Sequence, residues 1–284
     1  MFYSYLSLLL LFSLLASLQV KGANESKYVP FEQNYAPSWG NENVRVLNQG
    51  SEVQLTLDQH SGSGFQSLQK YASGWFSFSI KMPPKDSTAV ITTFYLSSNT
   101  GNSRDEIDLE FLGGNKDLPY ILQTNIYQNG QGGREQRISL WFDPTTDFHS
   151  YDLLWNEHQL VFFVDNTPIR VFKNTTSKGG HYPTLGMQIV ATIWTSPWAS
   201  NGTKVNWNDA PFEAHYRGFN INGCQVQNGI SNQECNWSNS NYWWNEKKFW
   251  SLNPSQQRAY NNVRSKYLNY DWCTKDKGNP ECQD

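Results

Sequence analysis

Asp105-Glu106-Ile107-Asp108-Leu109-Glu110-Phe111-Leu112-Gly113 alternates acidic and apolar residues with a period of two. Side chains on a β-strand point to opposite faces in turn. The stretch therefore predicts a strand with Glu106, Asp108 and Glu110 on one face and Ile107, Leu109 and Phe111 on the other. The apolar face calls for a core. The acidic face calls for a use, because three carboxylates this close repel one another and raise the pKa of one of them. A solvated edge strand charged against aggregation is the bland reading. The functional reading is glycoside chemistry, in which a retaining enzyme holds two carboxyls about 5–5.5 Å apart. Alpha carbons at i and i+4 of a strand lie about 13 Å apart. Two Glu side chains leaning together close much of that gap, where two Asp fall short. Asp108 then sits between them, and spacing alone does not say which Glu attacks.

Outward from this strand, period-two runs recur at Val53–Leu57 and Trp75–Ile80, and Leu160–Val164 and Ile169–Phe172 continue the strand signal. Asp165-Asn166-Thr167-Pro168 reads as the turn between the last two. Turn signals at short intervals from about Val44 to Asn222 fit an antiparallel β-sandwich. Helical periodicity first appears at Pro254-Ser255-Gln256-Gln257, which opens a run through Tyr267 with Tyr260, Val263, Tyr267 and Leu268 on one face and Ser as its cap. The expected organisation is a leader over residues 1–22, a sandwich over 23–222 and an appended tail over 223–284.

Composition narrows the class. Of 284 residues, 38% are hydrophobic and 15% aromatic, enough for a core. Twelve Trp and fifteen Tyr exceed what the core needs, and both side chains lie well against sugar faces. Leu-rich Tyr5–Leu18 followed by Val20-Lys21-Gly22 reads as a secretory signal peptide, too short for a comfortable membrane span. The formal net charge is −3, and the chain holds no basic run, so nucleic acid and anionic membrane are poor partners and a neutral polymer a better one. Cys224, Cys235, Cys273 and Cys282 are even in number in a secreted chain, which reads as disulfides. Three connectivities are open, and Cys224–Cys235 with Cys273–Cys282 closes the shortest loops. Their intervals are longer than zinc sites prefer, and the scattered His residues show no ligand spacing, so no metal or other cofactor is expected. Asn24, Asn174, Asn201 and Asn236 stand in N-x-[ST] sequons. A monomer is expected.

The nine residues Asp105–Gly113 resemble the signature of glycoside hydrolase family 16, and within it the plant xyloglucan endotransglucosylase/hydrolases. The likeness covers nearly all of the chain after the leader. It includes Ser61–Phe65, Phe94–Ser98, Gln123-Thr124-Asn125, Arg134-Glu135-Gln136-Arg137 with Leu140–Thr145, Val164–Asn166 with Pro168–Asn174, and the Cys-rich tail. The resemblance implies a concanavalin-like β-jelly-roll whose groove holds a glucan chain. It implies Glu106 as nucleophile, Glu110 as acid/base and Asp108 in support. It further implies that Gln123 and Asn125 bond sugar hydroxyls and that Tyr95, Arg137, Trp194 and Trp198 line subsites. The implied activity is secreted and acts in the plant wall and apoplast, cutting xyloglucan and passing it to xyloglucan or another β-glucan acceptor. Two other readings stand beside it: a hydrolase or a transferase with another glucan, and a lectin-like sandwich that binds without turnover.

The sequence departs from the family pattern in four places. Arg104 replaces the usual His before the signature, and a cation there favours ionised carboxylates. Gly114-Asn115-Lys116-Asp117 lacks the usual sequon. The stretch Ile193–Trp207 is shorter than usual, and Lys275-Asp276-Lys277-Gly278-Asn279 replaces an Arg-Phe-Pro near the last Cys. The loop Gln128–Gly133 is short, as in the transferases.

Overall fold

The computed structural model describes residues 29–226, 235 and 242–282. The signal-peptide stretch and the sequons at Asn24 and Asn236 lie outside the described residues. After a single turn of helix α1 (Phe31–Asn34) the chain runs through β1 (Tyr35–Trp39), β2 (Val44–Leu47), β3 (Glu52–Leu57), β4 (Ser63–Ser67), β5 (Lys70–Lys81) and β6 (Val90–Ser97). It continues through β7 (Glu106–Leu112), β8 (Ile121–Tyr127), β9 (Gln136–Ser139), β10 (His149–Trp155), β11 (Gln159–Val164) and β12 (Thr167–Lys173). Then follow β13 (Gln188–Thr195), β14 (Phe212–Arg217), β15 (Asn222–Val226), helix α2 (Pro254–Tyr267) and β16 (Leu268–Asp271).

These strands form two antiparallel sheets, ordered β1-β4-β13-β6-β7-β8-β9-β16 and β12-β11-β10-β5-β14-β3-β2, with β15 also on β5. The alternation read in β7 explains the layering. Ile107, Leu109 and Phe111 are fully buried and join Phe65, Phe78, Phe94, Tyr151 and Phe162 in the core between the sheets. Burial of this apolar area is the main force holding the sheets together. Phe78 meets Phe94 edge-on at 4.9 Å, and Phe111 meets Tyr151 at 4.6 Å. Arg170 of β12 crosses this layer, donating to Thr124 Oγ1 at 2.8 Å and to the Arg134 carbonyl at 2.6 Å. Burial lowers its pKa to about 10.

Two local expectations change. The hairpin between β11 and β12 turns on Asp165-Asn166 alone, both at positive φ (46° and 61°), while Thr167 and Pro168 already pair with Val164 and Phe163. Two left-handed residues match the twist of the flanking strands, and Asn and Asp tolerate that conformation. Pro168 fits because β12 is the outermost strand of its sheet. The cap of α2 is Asn253 rather than Ser255. Pro254 takes the first helical position, which makes the preceding residue the cap, and Asn253 and Gln256 close a capping box. Tyr260 and Val263 are buried on the expected face.

The tail is part of both layers. β15 adds to β5, and β16 adds to β9 at the edge of the β7 sheet. The disulfides are Cys224–Cys235 and Cys273–Cys282, with Cα–Cα distances of 5.9 and 5.5 Å. Beside the second, buried Glu281 pairs with Arg134, whose Nη2 is 3.1 Å from Glu281 Oε1. Glu281 also accepts from the His181 backbone N–H at 2.8 Å. Burial pushes this carboxyl up in pKa, and Arg134 and His181 more than offset it, leaving a net depression. A depressed carboxyl stabilises the fold above its unfolded pKa and loses that contribution as pH falls through the folded value. Glu281→Gln is therefore expected to destabilise the protein at neutral pH by about 3 kcal/mol. The gap to the unmodified protein should close in acid; equal denaturation midpoints at neutral pH would refute the anchor.

Candidate active site

The outer face of the β7 sheet is concave and holds a groove of about 880 Å³. Register brings its floor together. Glu106 lies between Ser97 and Tyr127, Asp108 between Tyr95 and Asn125, and Glu110 between Thr93 and Gln123. All three carboxylates line the groove, with Tyr95, Gln123, Asn125, Arg137, Trp194 and Trp198. Every groove residue expected from the sequence is thus brought into one cavity.

The start of β7 is fixed from below. The buried Asp105 carboxylate accepts backbone N–H groups from Asn129 at 2.9 Å, Thr184 at 2.7 Å and Leu185 at 3.0 Å. Asn129 and Gly130, at φ 50° and 75°, form a two-residue turn that keeps the β8–β9 loop tight, and the Gly130 N–H donates to the Arg104 carbonyl at 2.7 Å. Arg104 Nε in turn lies 3.2 Å from Glu106 Oε2, with its guanidinium 4.4 Å over the Tyr127 ring.

At the other end of the trio, Gln123 Nε2 donates to Glu110 Oε2 at 2.7 Å, and Arg137 Nε donates to Gln123 Oε1 at 2.7 Å. Asn125 Oδ1 accepts from the Arg134 backbone N–H at 3.0 Å, while its Nδ2 reaches Glu135 Oε1 at 3.4 Å. Both amides are buried and engaged with protein, so they brace the floor.

A family model described as Glycosyl hydrolases family 16 matches residues 31–209, and one described as Xyloglucan endo-transglycosylase (XET) C-terminus matches residues 238–281. The chain belongs to glycosyl hydrolase family 16. Among its relatives is the putative xyloglucan endotransglucosylase/hydrolase protein 1 of Arabidopsis thaliana, 52% identical over 260 residues, 90% of this chain and 85% of that one. The xyloglucan endotransglucosylase/hydrolase protein 2 of the same plant is 47% identical over 270 residues, 94% of this chain and 90% of that one. Of the solved structures, a Bacillus licheniformis beta-glucanase aligns with 66% of this chain and 93% of its own at a TM-score of 0.56 and 23% identity, a likeness of fold.

The family-16 chain gives its carboxylates unequal surroundings. Asp108 is buried between two Glu, and desolvation with the charges of Glu106 and Glu110 raises its pKa well above the ordinary value. Burial also raises Glu110, against the Gln123 hydrogen bond that lowers it. Among the described residues, Glu106 alone of the three has a guanidinium in ion-pair contact.

Sequence reasoning missed Trp39, Thr93, Glu135, Tyr127, Thr192, Tyr270 and Lys275, which complete the groove. Trp39 lies against two glycines of the Ser61–Phe65 block. A Cβ on Gly62 or Gly64 would stand 2.8 or 2.6 Å from its indole. Those glycines were a signal that a flat side chain rests there. Tyr270 and Lys275 come from the tail through the β9–β16 pairing, with Lys275 Nζ 5.0 Å from the Tyr270 ring.

Asp108 and Glu110, raised above their unfolded values, add stability that is complete below the unfolded pKa and is lost as pH rises through the folded values. Asp108→Asn removes one of these titrations. Its melting midpoint is expected to exceed that of the unmodified protein by a few degrees at pH 8 and to converge with it near pH 4. Identical pH dependence in the two proteins would exclude a buried, proton-holding Asp108.

Proposed function

We propose that the chain is a retaining xyloglucan endotransglucosylase of the plant cell wall. The observation that carries the reading is the pairing of unlike carboxyls on one strand face in the groove, Glu106 with a cation beside it and Glu110 with a raised pKa. In the first step the Glu106 carboxylate attacks the anomeric carbon of a backbone glucose. The bond to the leaving sugar oxygen breaks as Glu110 gives that oxygen its proton, and a glycosyl ester on Glu106 remains. In the second step Glu110, now ionised, takes the proton of an incoming hydroxyl as its oxygen displaces Glu106 from the anomeric carbon. Both carboxyls then return to their starting forms.

Burial keeps the Glu110 proton available over a wider pH range, and the raised pKa of Asp108 lessens the negative charge beside the nucleophile. The names of the relatives point to xyloglucan, and the tight Gln128–Gly133 turn leaves the groove open for a polymeric acceptor. Residues 23–222 form the catalytic unit and 223–284 an extension that completes the groove. The N-terminal apolar stretch and the disulfides support secretion to the apoplast, with Asn174 and Asn201 as surface positions for N-glycans. Hydrolysis is the second reading, in which water takes the place of the acceptor hydroxyl.

Incubation with xyloglucan and a fluorescent xyloglucan oligosaccharide tests the proposal. Label is expected to enter polymer with few new reducing ends, to vanish in Glu106→Ala while binding persists, and to decline on the alkaline side as Glu110 loses its proton. Reducing ends without label would make the chain a hydrolase, and binding without either would make it a lectin.

A further inference from the structure

The stretch Trp198-Ala199-Ser200-Asn201-Gly202-Thr203 places an N-x-Thr sequon three residues after an exposed Trp. Pro197–Ser200 is a short 3-10 turn, and Asn201 is its C-cap in the left-handed region at φ 52°. Side chains three apart eclipse in such a turn, which sets Asn201 over Trp198. Both line one cleft of about 250 Å³ at the Leu112–Gly113 end of β7, together with Leu118 and Pro119. The turn is braced by its own bonds. The Gly202 N–H donates to the Pro197 carbonyl at 2.8 Å, and Ser200 Oγ donates to the Thr203 carbonyl at 2.7 Å. Asn201 itself is exposed.

The cleft is apolar where the sequon meets it. Leu118 is 55% exposed and Trp198 44%, two large side chains open to water on one cavity. A single exposed apolar residue needs no explanation, whereas a pair sharing a cleft calls for a cover. The first sugar of a glycan on Asn201 is a cover already tethered at its edge. A pyranose carries C–H groups on its faces and hydroxyls around its rim, so it packs flat on an indole while its rim stays wet. The sequon at Asn174 offers no such seat. Its Nδ2 donates to the Glu157 carbonyl at 2.8 Å, its Oδ1 accepts from Thr176 Oγ1 at 2.8 Å, and it lines neither the groove nor this cleft.

We infer that Asn201 carries an N-glycan whose first N-acetylglucosamine packs on Trp198 and serves as a structural part of this wall. The modification is made on the secretory route. The Asn201 amide nitrogen displaces a lipid pyrophosphate from C1 of its oligosaccharide, the C1–O bond breaking as the N–C1 bond forms, and the amide proton passes to the transferring enzyme. Trp198 lines the groove as well as the cleft, so a sugar held on its cleft side steadies a residue of the groove wall. The inference rests on the secreted reading of the chain and not on the identity of the glucan.

The test uses the full chain expressed in plant cells under its own leader and kept in the high-mannose form. Peptide mass spectrometry is expected to find the glycan on Asn201. Thr203→Ala removes the sequon and keeps the backbone bonds of the turn, whereas Thr203→Ser keeps both. The melting midpoint of Thr203→Ala is expected about 3 °C below that of the unmodified protein, with Thr203→Ser unchanged. Endoglycosidase H, which leaves one N-acetylglucosamine on each site, should preserve that gap when both proteins are trimmed. In a Trp198→Ala background, shown to be folded by far-ultraviolet dichroism, Thr203→Ala should cost nothing further. A bare Asn201 on the secreted chain, equal midpoints, a gap that trimming closes, or a gap that persists without Trp198 would each overturn the inference. Retention of the chain in the cytosol would overturn secretion and glycan together, whereas failed label transfer would sink the transferase reading alone.

Discussion

The whole molecule turns on the two-faced strand β7. Ile107, Leu109 and Phe111 must face the core while Glu106, Asp108 and Glu110 face the groove, and neither demand is negotiable once three carboxylates occupy one side. The dry side recruits the aromatic core that binds the two sheets. The wet side forces the sheet to stay uncovered there, so the protein keeps a groove where a sandwich of this kind could have closed. A slip of one residue in its pairing with β6 or β8 would carry the carboxylates into the core and Phe111 into solvent. Asp105 guards against that slip, because its carboxylate is bound by three backbone N–H groups from two other segments.

The three carboxylates of β7 share the groove with Glu135 and are held by different partners. Arg104 lies against Glu106, Gln123 donates to Glu110, and burial beside the two Glu raises the Asp108 pKa. The asymmetry of the trio therefore comes from neighbours rather than from the carboxyls themselves, which are chemically alike. The same neighbours are held in turn: Arg104 lies over Tyr127, and Gln123 is fixed in orientation by Arg137.

Much of this was legible in the chain. Period-two alternation fixes strand faces, so the core positions of β7 and β5 and the acidic trio could be read directly. The disulfide pairs followed from loop length, because short loops favour local closure. What escaped detection was long-range. Tyr270 and Lys275 enter the groove through a pairing between strands more than a hundred residues apart, and no local pattern encodes such a partner. Trp39 was missed for a related reason: the glycines that accommodate it are on a different strand. The turn at Asp165-Asn166 and the cap at Asn253 were local, and their misreading came from giving Pro168 and Ser255 roles that their neighbours perform better.

The placement of β16 has a consequence for how the protein comes into being. β16 forms an edge of the sheet that carries the carboxylates, and Glu281 beyond it pairs with Arg134 of the β8–β9 loop. The strands under the carboxylates pair with near neighbours in sequence, whereas the wall that Tyr270 and Lys275 supply waits on a pairing across more than a hundred residues. Contacts of such sequence separation form late and slowly. The carboxylate floor therefore depends on pairing between strands close in sequence and the groove wall on a distant one, so loosening β16 would open the groove and leave the trio in place.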